Sequence, residues 1–234
     1  MKLKALVLTD HADHTAENSL YGLLQALLGH PQIESVDVAT RHNPLNERFF
    51  VDLYGEKIFV SAVHNDFHFD GNGSAFFQDM HPATLDDYDF VLLRLPPPLN
   101  QPLLDFLKRK AKRPVFVNDP EGINLVGNKR FLLNFKDICP PMKLLRSVDE
   151  IQAFSEQFPV VLKPLNNYGG RGILRVEDGN VLEDGQETPL EEYFENVKPD
   201  TVEFLGMQFL KNVVQGDKRI LVVDGKVMGA SLRL

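Results

Sequence analysis

The sequence predicts an α/β protein, an open α/β unit followed by an α+β unit, from three observations. An apolar run, Lys2–Thr9, is followed by leucines at helical spacing (Leu20, Leu23, Leu24, Leu27, Leu28) and a short apolar run at 35–39. That is a β-α-β opening of an open sheet. A second such pattern follows, with a buried strand from Tyr88 towards Pro98, an amphipathic helix over Pro102–Lys112 and a strand over Val115–Asn118. Finally, Phe158–Val176 holds two apolar runs around Lys163-Pro164 and Gly169-Gly170-Arg171-Gly172, which reads as strand, flexible loop and returning strand.

The remaining elements follow in order. Phe49–Leu53 and Ile58–Val63 read as a hairpin across Tyr54–Lys57, and the chain between His64 and Gly73 as a loop. Asn124–Phe135 reads as a helix carrying Lys129. Ser147-Val-Asp-Glu150 is a capping-box signature opening a helix over Val148–Phe158. Glu177–Thr188 reads as acidic loop and Pro189–Asn196 as a short helix. Strands are expected over Phe204–Lys211, Ile220–Val223 and Val227–Leu232, the last two joined at Asp224-Gly225.

Composition excludes some functions. Of 234 residues 43% are hydrophobic and 25% charged, as in a soluble globular protein, and the net charge of −8 argues against a nucleic-acid footprint. No apolar run reaches the roughly 20 residues of a membrane span. The N-terminus runs into Asp10 without a cleavage motif and reads as a first strand. The single cysteine, Cys139, excludes an internal disulfide, fits a reducing cytoplasm and reads as a structural thiol. His64, Asp66, His68 and Asp70 alternate with Phe67 and Phe69 as on a solvated strand face, which outweighs a metal cluster. His11 and His14, beside Asp10 and Asp13, are likewise discounted as a metal cluster, and a role lining a pocket stays open to them, since loops after the first strand of such sheets often meet ligand.

The chemistry concentrates at Lys163. A cation inside a strand is costly to bury without an anion, and glycines after it can present bare N–H groups. Together they suggest a polyphosphate. The competing reading is an ordinary hairpin with a snorkelling lysine. Neither G-x-G-x-x-G nor G-x-x-x-x-G-K-[ST] occurs, which disfavours a dinucleotide fold or a P-loop enzyme. Arg94, at a strand end before a proline-stiffened turn, suits a substrate carboxylate or a surface ion pair.

Four segments resemble the ATP-grasp superfamily, and more closely its bacterial glutathione synthetases: Arg94-Leu-Pro-Pro-Pro98, Asn118 to Phe131, Leu162 to Gly172, and Gly216 to Gly225. The match runs over nearly the whole chain and is weakest over residues 10–85. The resemblance implies a pre-ATP-grasp α/β domain over residues 1–119 on the substrate side. An ATP-grasp helical and small-sheet subdomain is then expected over 120–200, and the start of a second, incomplete ATP-grasp sheet over 201–234. It implies Lys129 and Lys163 on nucleotide phosphates and Gly169, Gly170, Arg171 and Gly172 as a lid. Adenine is expected against the backbone of Met207, Gln208, Phe209 and Leu210, with Asp217 near the ribose. The family's glutamine falls at Met207 here, which leaves a backbone role for that position.

Arg219 and Arg233 match the family's catalytic arginines, and Arg94 a substrate-side arginine. The implied activity is ATP-dependent carboxylate–amine ligation through an acyl phosphate, with γ-glutamylcysteine and glycine as the substrates. The cofactors are ATP and Mg²⁺. The family's metal ligands lie past the Arg233 motif, so they are expected beyond residue 234, none is assigned here, and the chain as given is expected to be inactive. The implied partners are small molecules (an amino acid or dipeptide), with neither nucleic acid nor membrane, and a homo-oligomer stays open. Other readings are another ATP-grasp amino-acid ligase, such as a glutamate ligase, or a non-catalytic ATP-binding protein.

Overall fold

The computed structural model describes residues 2–96, 99–183, 185–198 and 201–233. The turn prolines Pro97 and Pro98 of the Arg94 segment lie outside the described residues. The chain divides into two compact units, 1–128 and 129–234.

The first unit is built on β1 (Leu3–Thr9), whose last five residues are all buried. Such a run without alternation marks a strand covered on both faces. Leu6 and Leu8 point into one core with Phe49, Phe106 and Leu107, whereas Ala5 and Val7 point into a second with Leu20, Leu24 and Phe76. Parallel to β1 lie β2 (Ile33–Thr40) on one side and β5 (Phe90–Leu93) on the other, with β6 (Val115–Val117) beyond β5. The outer strands β3 (Lys57–Ala62) and β4 (Met80–Thr84) run antiparallel, giving the order β4-β3-β2-β1-β5-β6. Helix α1 (Ser19–Leu28) is capped by the Asn18 side chain, which accepts from the Leu20 N–H. Helix α3 (Gln101–Lys110) is capped by Asn100 through the Leu103 N–H.

Two sequence expectations for this unit change. The hairpin expected across 54–57 is absent, because Glu47–Phe50 forms the short helix α2 and β3 pairs with β2 and β4 instead. Asn43 and Pro44 start this helical stretch, as a polar cap followed by proline should. The buried Asn46 then bonds both backbone groups of Phe59, accepting at 2.7 Å and donating at 2.9 Å. Further on, the single helix expected over 124–135 is two elements. Helix α4 (Pro120–Val126) ends at Gly127, and a 3-10 stretch spans Lys129–Ile138.

The second unit holds an antiparallel sheet in the order β11-β10-β9-β8-β12-β7. Its strands are β7 (Met142–Leu145), β8 (Val160–Pro164), β9 (Leu174–Glu177), β10 (Asn180–Glu183), β11 (Gln186–Pro189) and β12 (Phe204–Gln208). The acidic loop expected over 177–188 is thus two strands. Asp178 and Gly179 both take positive φ, which makes the tight turn between β9 and β10, and Val181 anchors the inner face. One face packs on α5 (Val148–Ser155) and α6 (Leu190–Phe194) through Leu145, Ile151, Leu162, Val176 and Phe194. Ser147 caps α5 through the Glu150 N–H at 3.1 Å. The opposite face carries Leu205 and Met207 under Leu132, Leu133 and Cys139 of the 3-10 stretch. A separate hairpin, β13 (Asp217–Val223) and β14 (Lys226–Arg233), is exposed along both strands.

Candidate functional site

Register on β8 decides which way Lys163 faces. In an antiparallel sheet directly paired residues share a face. Lys163 pairs with Leu205, and Val161 with both Met207 and Arg175. All five therefore lie on the face beneath the 3-10 stretch. Lys163 is half-buried there, and burial pushes its ammonium pKa down, with Cys139 opposing the shift only in part. No carboxylate among the described residues pairs with it.

Lys129 opens the 3-10 stretch. Its N–H donates to the Leu165 carbonyl at 3.0 Å, and its ammonium to the carbonyls of Pro164, at 2.8 Å, and Asn167. The ammonium also lies 5.7 Å over the Tyr168 ring. Burial, and then the charge of Lys163, lower its pKa. Two cations thus converge where β8 runs into the glycine loop. Gly169 and Gly170 take φ of 66° and 78° with open space where a Cβ would stand. The glycines are required by conformation, and the loop stays exposed.

At the end of β12, Met207 is buried on the Lys163 face, whereas Gln208, paired with Val160, faces α5 and α6. The N–H groups of Gln208 and Phe209 donate to Pro141 and Pro159 carbonyls at 2.9 and 2.7 Å. The Leu210 N–H donates to no described residue. Beside this stretch stands Arg175, which the sequence reading missed. Its guanidinium lies 4.1 Å over the Phe209 ring and pairs with Glu177, and its buried Nε has no hydrogen-bond partner among the described residues. The period-2 alternation of β9 places Arg175 opposite Val161 and was the available signal.

The β13–β14 hairpin carries the other arginines. Asp217 pairs with Arg233 and Arg219 with Ser231 in the ladder, so all four share one face. The Arg233 Nε donates to Asp217 at 3.1 Å, and this hydrogen bond raises the arginine pKa. Asp217 and Arg233, read separately as ribose and reaction-centre residues, are here each other's partner.

Arg94 lies in the first unit. Strand order reverses between β1 and β5, the position at which open α/β sheets place ligands. A cavity of about 260 Å³ opens there at the carboxyl ends of both strands, lined by Thr9, Asp10, Asp13, His14, Asn18 and Arg94, among others. Arg94 donates from Nη2 to Ser19 Oγ at 3.0 Å, and its carbonyl accepts from Thr9 Oγ1 at 3.3 Å. His14 sits between Thr9 Oγ1, at 3.4 Å, and the Tyr21 hydroxyl, at 3.1 Å. Burial, then His11, lowers its pKa. His11 is stacked on Phe76 and bonded to Thr40 Oγ1 at 2.8 Å, outside the cavity lining. No three His, Cys, Asp or Glu side chains converge on a metal-sized site among the described residues. No described helix is long and apolar enough to cross a membrane.

Residues 128–234 match the family model for the prokaryotic glutathione synthetase ATP-grasp domain. The glutathione synthetase of Bradyrhizobium diazoefficiens is 35% identical over 158 residues, which are 64% of this chain and 47% of that protein. That of Rhodopseudomonas palustris is 34% identical over 159 residues, 65% of this chain and 49% of that one. The chain spans about half the length of the curated relatives it matches. Among solved structures, a RimK domain ATP-grasp protein from Sphaerobacter thermophilus superposes with a TM-score of 0.57 at 18% identity, covering 98% of this chain and 73% of that one. D-alanyl-alanine synthetase A from Vibrio cholerae gives 0.51 at 16% identity, covering 97% and 64%. At such identities these two show the fold alone. The chain is similar to bacterial glutathione synthetases, and its residues 128–234 match the ATP-grasp domain model of that family.

Proposed function

We propose that this chain supplies the nucleotide-binding and substrate-positioning parts of an ATP-dependent carboxylate–amine ligase of the glutathione synthetase type. One observation carries the reading. Lys163 is a half-buried ammonium with no carboxylate partner among the described residues, beside a second lysine and a glycine loop. Such a charge is unfavourable until an anion meets it, and a polyphosphate offsets both ammonium groups at once.

Lys163 and Lys129 hold the phosphates, and the Gly169–Gly172 segment, with Arg171, closes over them. To do so Lys129 exchanges the Pro164 and Asn167 carbonyls for phosphate oxygens, which couples nucleotide arrival to the root of the loop. The purine lies along Met207–Leu210, where the Leu210 N–H is the donor left for a ring nitrogen, and Gln208 contributes backbone only. Asp217 takes the ribose, which requires it to release Arg233. The fit of ATP rests on these residues.

In the reaction a carboxylate oxygen of γ-glutamylcysteine attacks the γ-phosphorus and the bond to ADP breaks. The glycine amine then attacks the acyl carbon, and phosphate leaves with the electrons of the carbon–oxygen bond. The amine loses its proton. Negative charge grows on oxygen in both steps, and Arg219 and Arg233 are the cations assigned to it. Arg94 holds a carboxylate that does not react. Mg²⁺ would accompany ATP, but the described residues offer no ligand set for it, so no step is derived through the metal. Its substrates are small molecules and it works in the cytoplasm.

Calorimetric titration of the chain with ATP, and phosphate release with γ-glutamylcysteine plus glycine, test the two halves of the proposal. ATP binding with release only for a different acid would move the assignment to another amino-acid ligase. ATP binding with no release for any acid–amine pair would leave a nucleotide-binding protein. Absence of ATP binding would sink the reading.

A further inference from the structure

We propose that Arg175 is a positioning residue that selects adenine over guanine. Stacked on Phe209, it fixes the chain just after β12 so that the Leu210 N–H meets an acceptor on the purine ring. The inference rests on the purine placement given above and adds what sets the choice of base.

Register places Arg175 away from the phosphates. It shares a row with Val161 and Met207, and Lys163 stands one row further along β8, about 7 Å away. Its charge is also already met, because the guanidinium pairs with Glu177. A paired arginine is a weaker phosphate ligand than Lys163, which has no carboxylate partner among the described residues.

The stack on Phe209 is the contact left to explain. Phe209 follows Gln208, which faces α5 and α6, so its ring lies on the Lys163 face. That ring belongs to neither hydrophobic cluster of the second unit. The guanidinium, 4.1 Å over it, is its stacking partner among the described residues. Arg175 gains little stability in return, since its Nε is buried without a hydrogen-bond partner among the described residues. What it does is steady one ring beside the purine.

The Phe209 N–H is bonded to the Pro159 carbonyl at 2.7 Å, so the next donor along the chain is that of Leu210. With Phe209 clamped, this N–H is held in one direction. Adenine offers an unprotonated N1 at its pairing edge, which accepts the bond. Guanine carries an N1–H there, which sets two donors face to face. A fixed donor rejects the wrong base, whereas a loose one turns aside.

The test measures binding to the whole chain by calorimetric titration, with ATP, GTP, adenosine and inorganic triphosphate as probes. The native chain is expected to prefer ATP to GTP. Arg175→Met should weaken ATP and adenosine about tenfold, leave GTP and triphosphate unchanged, and so lower the ATP:GTP ratio by the same factor. Arg175→Lys, which keeps the charge without the flat face, should fall between the two. Phe209→Leu should lower the ratio likewise, and adding Arg175→Met to it should lower the ratio no further. The melting temperature of Arg175→Met should hold or rise, because the orphaned donor is removed. An unchanged ratio in Arg175→Met, loss of triphosphate binding with it, or lost affinity together with a lower melting temperature would overturn the proposal. A native chain that binds ATP without the Arg175 effect sinks this inference alone. A native chain that binds no ATP sinks the ligase reading as well.

Discussion

Two parts of the second unit carry the cations of the proposed reaction, and they are built in opposite ways. Lys163 is set in a strand between two others, half-buried on the face that carries Leu205 and Met207. Arg219 and Arg233 stand on a hairpin exposed on both faces, one of them paired to Asp217. The first arrangement is destabilising until an anion arrives. The second is indifferent, because exposed ion pairs contribute about 0–1 kcal/mol. The proposed phosphate binding is therefore preorganised in the sheet, whereas the hairpin arginines are held by nothing that folding requires.

The largest expected effect comes from Lys163→Met. It should weaken ATP binding by about 2–3 kcal/mol, roughly 30- to 150-fold, the value of one charged hydrogen bond. Melting temperature should hold or rise, since a half-buried charge with no carboxylate partner among the described residues is replaced by an apolar chain of similar length. A variant that loses both ATP affinity and stability would make Lys163 structural.

Next is Gly206→Ala. A Cβ there would come within 2.4 Å of Leu145 Cδ1, so about 1–3 kcal/mol of stability should be lost in a denaturant titration. Gly229 on the hairpin has open space at the same test, and Gly229→Ala should stay within about 0.5 kcal/mol. Equal costs would contradict the contrast between sheet and hairpin.

A third effect concerns the first unit. Burial lowers the pKa of both His11 and His14. The unfolded chain therefore binds more protons between the lowered and the ordinary histidine values, and stability falls as pH drops through that window. Melting followed from neutral to mildly acidic pH should show this loss, and His11→Asn with His14→Gln should flatten the profile. A pH-independent melt would contradict it. The smallest effect is Asp217→Asn, which should leave the melting temperature unchanged within about 1 °C, because the pair it breaks is exposed.

How much of this was legible in the sequence follows from where the signals lie. The strand–loop–strand around Lys163 stood out because both strands are apolar runs and the glycines sit between them. The β1 opening was equally plain. The α2 segment was misread because Phe49, Phe50 and Val51 look like a strand, whereas the Asn43-Pro44 cap and the buried Asn46 decide for a helical turn. β10 and β11 were hidden because the acids Glu177, Asp178, Glu183 and Glu187 lie in and around two very short strands. Arg175 was harder to find for another reason: alternation along β9 gives its face, but its stacking on Phe209 joins residues 34 apart in sequence, a pairing that only sheet register reveals. The mixed charge of the first-unit cavity likewise needed β1 and β5 to be neighbours.

Proton uptake on ATP binding most directly tests the claim that an anion completes Lys163. Burial has lowered that pKa, and phosphate oxygens should raise it again, so at alkaline pH the bound group holds more of its proton than the free one. Calorimetric titration in two buffers of different ionisation enthalpy should show protons taken up by the native chain, and markedly fewer by Lys163→Met. No uptake by the native chain, or the same uptake in both, would contradict the account.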